Sequence, residues 1–135
     1  MNRTFMWIGV SIVIAYFPAK AETALEVKSS CKAVLRVRDS KADYLNLPRN
    51  FDAGFCWGAF ASLQEISSSF PEGETSSLLG CCPPPDSTRL QYIRIFSKYV
   101  DDHPEAGQED FVTVAIQSLQ LAFPCHNKRT SLRSK

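Results

Sequence analysis

Five cysteines, at positions 31, 56, 81, 82 and 125, constrain this 135-residue chain more than anything else in it. Whether they act as thiols, metal ligands or disulfides depends on the compartment, and the N-terminus bears on that. Arg3 precedes the uncharged run FMWIGVSIVIAYF at 5–17, and Ala19 and Ala21 then form an A-x-A site before Glu22. Charged, apolar and small residues in that order make a secretory signal peptide. A run of that length spans only about 20 Å as a helix, against a hydrocarbon core of about 30 Å. The expectation is a signal peptide at 1–21, cleavage after Ala21, export, and no stable membrane insertion.

All five cysteines then lie in the exported part, where the default state is a disulfide. Metal binding fits poorly, because there is no C-x-x-C and His103 and His126 lack paired-ligand spacing. Redox catalysis fits poorly for the same missing motif. No metal and no cofactor is expected. Residues 22–135 carry 13 basic and 14 acidic side chains, Arg3 and Lys20 of the full chain's 15 basic residues lying in the leader. That balance argues against nucleic acid as a partner. The basic stretch 127–135 has almost no apolar residues and reads as a disordered tail, which leaves one domain at 22–126.

Hydrophobic spacing divides that domain into four helices with no clean strand alternation, an all-α fold. The first is expected over 22–38, with Val27, Cys31, Val34 and Leu35 on one face. Pro48 can open a second through Ile66, with Phe51, Phe55, Ala59 and Leu63 as its stripe and Cys56 and Phe60 beside it. Gly54, Gly58 and Ala61 on this helix suggest close approach of another backbone. A Ser/Gly/Pro-rich loop covers 67–80. A third helix starts after a cap at Ser87 or Thr88, with Leu90, Ile93, Phe96 and Val100 forming its apolar face. Pro104 ends it and suits the first turn of the next helical segment. The fourth runs over 109–123, with Phe111, Ala115, Leu119 and Ala122 aligned, and Pro124 stops it.

The third and fourth helices, closely linked, should form an antiparallel hairpin. Cys82 then precedes its start and Cys125 lies just past its end, so a Cys82–Cys125 bridge would clasp it. Cys31 and Cys56 can cross-link the first two helices. On the chain-entropy estimate these bridges contribute about 4 and about 3.5 kcal/mol, against about 5–15 kcal/mol for a whole domain. Cys81 is left over, with three fates open: exchange with Cys82, a free thiol, or a bond to a second chain that would make a homodimer. Sequence alone does not fix the connectivity.

The stretches GFCWGAFASL, C-x-P at 82–84, TRLQYIRIFSKYVDDHPE and FVTVAIQSLQLAFPC resemble the Rap/Tai family of exported immunity proteins against type VI secretion amidase effectors. The resemblance covers about 25–125. It is strongest at Thr88, Gln91, Arg94, Tyr99, His103, Pro104, Glu105, Ala115, Phe123, Pro124 and Cys125, and the family pattern aligns a cysteine with each of Cys31, Cys56, Cys82 and Cys125. Cys81 departs from it, and the 67–80 loop is longer and more polar than usual. The resemblance implies a periplasmic helical domain that binds and blocks a peptidoglycan amidase.

His103 in DDHPE invites a catalytic reading. A base needs a nucleophile and an oxyanion site, and no G-x-S-x-G or H-E-x-x-H is present, so a helix-end histidine bonded to a carbonyl or carboxylate is the better expectation. Cys81 has no activating histidine nearby in sequence. Gln91 and Arg94 either contact a partner or brace neighbouring helices. Trp57, Tyr92 and Tyr99 read as packing residues before interface anchors. The chain is therefore read as a binding protein and not an enzyme, working by occlusion of a protein partner, with Phe70 and Glu72 of the loop as candidate contacts. The alternative is a periplasmic helical stress or holdase-type protein.

Overall fold

A computed structural model describes residues 21–36, 47–70 and 77–125. Residues 1–20 of the expected leader, the 127–135 tail and Glu72 lie outside the described residues. Four α-helices run in order: α1 Ala24–Leu35, α2 Phe51–Ser68, α3 Arg89–Asp102 and α4 Phe111–Ala122, with a 3-10 helix, Pro104–Gln108, between the last two.

Each α-helix begins at a side-chain cap. Thr23 and Glu26 form a capping box on α1, so that helix starts at Ala24, and it ends at Leu35, short of the expected 38. Asn50 accepts from the Ala53 N–H, so α2 begins three residues after Pro48, which lies outside it. Thr88, not Ser87, caps α3, and Asp110 caps α4. Pro104 opens the separate 3-10 helix, a turn too short for periodicity to reveal.

The helix α1 packs against the other three and the 3-10 helix, burying Val27, Cys31 and Val34 completely. Opposite them lie Phe60, Phe96 and Phe111, whose ring centroids are 5.3–5.6 Å apart in tilted and edge-on pairs. The expected face of α3 is buried as read. On α4, Phe111, Ala115 and Leu119 are buried but Ala122 is exposed, because the core face runs through Val114 and Ser118 instead. The α2 stripe is displaced further. Ala53, Cys56, Phe60, Leu63 and Ser67 face the core, whereas Phe51 is 82 % exposed. Gly54 and Gly58 lie on the exposed side with nothing within 4 Å of where a Cβ would stand, so the expected close backbone approach does not occur there.

Both expected disulfides are present. Cys31–Cys56 joins α1 to α2 with Cα atoms 5.2 Å apart, and Cys82–Cys125 joins the two ends of the α3–α4 hairpin at 5.0 Å. Cys81 is a free thiol, fully buried, with Sγ 3.6 Å from Ser77 Oγ. The N-termini of α1 and α4 are tied by two backbone bonds, Ala24 N–H to Glu109 O at 2.9 Å and Phe111 N–H to Glu22 O at 3.0 Å. Lys28 of α1 pairs with Asp101 of α3. The i,i+4 pair Lys98–Asp102 is exposed and adds little.

Tyr92 is 1 % exposed, and its phenol oxygen lies 2.7 Å from Ser67 Oγ. Ser67 donates its one proton to Gln64 O at 2.9 Å, so Tyr92 is the donor between the hydroxyls. Burial pushes the phenol above its ordinary 10.0; a phenolate could instead accept the Ser67 proton, which acts in the opposite sense, and the Cys81 sulfur adds to the rise.

This packing has two measurable outcomes. Gly54→Ala and Gly58→Ala should each raise the unfolding free energy by about 0.5–1 kcal/mol in denaturant titration, since each removes helix-interior glycine without a clash. A fall would show that the face is covered. Because the folded state holds the Tyr92 proton more tightly than the unfolded state, its contribution is intact below about 10 and is lost as pH rises through the higher folded value. Stability measured across that alkaline range should fall more steeply for the native protein than for Tyr92→Phe; equal slopes would contradict the assignment.

Candidate functional site

The end of the bundle that carries the Cys82–Cys125 bridge also carries a groove of about 530 Å³. One wall comes from the last turns of α2 and the residues after it, Gln64, Glu65, Ser68 and Phe70. The other is Pro83, Pro84, Pro85 and Ser87, with Tyr92 also lining it.

Local sequence explains why this wall stands where it does. Each proline has its φ locked near −65°, so three in a row make a stiff segment. Its near end is pinned twice, by the disulfide and by Cys82 N–H donating to Phe123 O at 2.8 Å. Its far end is held by Gln64, whose amide donates to Ser87 O at 3.0 Å and whose Oε1 accepts from Arg89 Nε at 3.3 Å. The Arg89 guanidinium in turn lies 4.6 Å from the centroid of the Trp57 ring.

The preceding turn is equally fixed. Gly80 N–H donates to Ser77 O at 2.9 Å, and Gly80 has φ +69°, a conformation that favours glycine. Leu78 N–H reaches Ser69 O at 3.1 Å, and Gln120 of α4 donates to Leu79 O at 2.8 Å. Residues 77–80 of the expected loop are thus ordered against α2 and α4, and residues 67 and 68 belong to α2.

Within the groove, Phe70 is half-exposed, and Glu65 is the only charged residue among the described ones that line it. Ser87 Oγ is buried and has no hydrogen-bond partner among the described residues. Leaving such a hydroxyl unpaired costs about 1–3 kcal/mol.

The remaining sequence candidates scatter. Thr88 is the α3 cap, with Gln91 and Arg94 exposed on that helix. Ala115 is core, Phe123 is buried with its ring 5.7 Å from Tyr92, and Pro124 is exposed beside the disulfide. His103 caps α3. Its Nδ1 lies 3.0 Å from Tyr99 O and its ring stacks on Tyr99 at 4.2 Å, so both face the α3 terminus and not the groove. Pro104 begins the 3-10 helix behind it. Of the proposed contacts that lie among the described residues, Phe70 alone reaches the groove; sequence reasoning missed Glu65, Ser87 and the proline wall. The one available signal was the proline triplet fixed to a cysteine.

No helix among the described residues is long and apolar enough to cross a membrane, and no cluster of three or more candidate metal ligands occurs there. No curated protein and no solved structure matched the chain. The family model of the Rap1a immunity proteins matches residues 23–125, from the α1 cap to the second cysteine of the clasp. The chain belongs to the Rap1a immunity protein family.

Proposed function

We propose that this protein is exported, loses its leader after Ala21, and acts in the periplasm as an immunity protein that binds a peptidoglycan amidase delivered by type VI secretion. The observation that carries this reading is the family match across the whole helical domain. It works by occlusion and not by chemistry. Occlusion needs about 800 Å² of fixed surface per partner and a few desolvated anchors. Two disulfides, four capped helices and a proline wall supply a surface that is ordered before contact, which lowers the cost of binding. The proposed contacts are Phe70 in the groove, Glu72, and the exposed face of α3 that carries Gln91 and Arg94. His103 has its structural partners within α3 already.

Inhibition of the cognate amidase should saturate at fixed stoichiometry, with the enzyme recovered chemically unmodified. In binding titrations Phe70→Ala should weaken the complex by about 2 kcal/mol or more, as buried aromatic anchors do. His103→Ala should stay within about tenfold, since a lost neutral hydrogen bond is worth about 1 kcal/mol. Turnover of the partner, or a loss of activity confined to His103→Ala, would contradict occlusion.

A further inference from the structure

We propose that the groove beside the Cys82–Cys125 bridge is a receptor for one arginine side chain on an exposed loop of the protein that this chain binds; only the source of the arginine rests on the immunity reading above. The cavity, about 530 Å³, falls within the range of about 300–1,000 Å³ in which proteins enclose specific ligands. Its lining combines apolar and charged groups. Phe70 and the prolines offer apolar surface along which an aliphatic stem can lie, and an aromatic ring that favours a flat cation. Glu65 puts a single negative charge among the described lining residues, with no cation to answer it.

The hydroxyl of Ser87 supplies the third element. It is buried, its residue lines the groove, and no described residue bonds it, so a turn about its Cα–Cβ bond can present it to an occupant. A guanidinium meets all three needs together. It is planar, always charged, and carries five donors, enough for a carboxylate and a hydroxyl oxygen at once. A lysine ammonium lacks the plane, and a neutral aromatic group leaves Glu65 unpaired. The same pairing of guanidinium and ring already occurs next door, where Arg89 lies over Trp57. The proline wall is fixed before any ligand arrives, so filling the groove requires little reordering.

The test uses N-acetyl-arginine methylamide as the probe, titrated into the ¹⁵N-labelled, oxidised protein and followed by amide chemical shifts. The expected result is saturable shifts confined to residues around Gln64, Ser68, Phe70 and Ser87. The isosteric, uncharged citrulline analogue should bind at least tenfold more weakly. Glu65→Gln and Ser87→Ala should each weaken the arginine probe at least fivefold while leaving the rest of the spectrum unchanged; neither side chain carries a bond that holds the core. Equal binding of arginine and citrulline analogues, shifts spread over the whole surface, or indifference to both variants would overturn the proposal. So would binding by a chain ending at His126 but not by the full chain, because the basic stretch 127–135 would then be the occupant. Probe binding is read without any amidase, so this site and the immunity role fail separately.

Discussion

The bridge between Cys82 and Cys125 is the contact on which the geometry of this molecule turns. It joins the residue ahead of the proline wall to the residue just beyond α4, 43 positions later in sequence. A cross-link over a loop of that length removes much of the freedom of the unfolded chain, about 4 kcal/mol on the entropic estimate. Its local effect matters as much. With Cys82 held against Phe123 by a backbone bond as well, the prolines leave the clasp in one direction only. The groove, the α3 cap and the Gln64 bridge all depend on that direction.

A second tie acts at the opposite end of α4. There the backbone bonds between residues 22–24 and 109–111 bring the starts of α1 and α4 together. The helix α1 thus becomes a spine, bonded covalently to α2 at Cys31, paired with α3 through Lys28, and stitched to α4 at its cap. These ties set the helix positions, and four phenylalanine rings, Tyr92 and the aliphatic side chains of the core fill the space between them. Such a scaffold suits a binding protein, whose surface gains affinity when it is ordered in advance.

Much of this was legible in the residues. Leu90, Ile93, Phe96 and Val100 stand out against charged neighbours, so the inward face of α3 was unambiguous. Hairpin topology pointed to the clasp but left open whether Cys81 or Cys82 closes it. The helix α2 misled because its apolar residues lie on every side, and two bulky phenylalanines at 51 and 55 outweighed smaller ones in the stripe. Cys56 held the correction: it must face Cys31, and positions three or four residues away in each direction, Ala53 and Phe60, must face the same way. The small residues Gly54 and Gly58 mark the outer face and not a close contact. The groove was not legible. Its walls come from 64–70 and 83–92, and their apposition depends on a tertiary bond and a turn that no periodicity encodes.

The claim that the clasp builds the groove is tested most directly by hydrogen exchange and denaturant unfolding of Cys82→Ser/Cys125→Ser. The account predicts a loss of about 2–5 kcal/mol. It also predicts that the residue-82 amide, bonded to Phe123 O in the native fold, exchanges faster than the α1–α2 core amides. A stability change below about 0.5 kcal/mol, within the scatter of ordinary surface substitutions, together with an equally protected residue-82 amide, would contradict it.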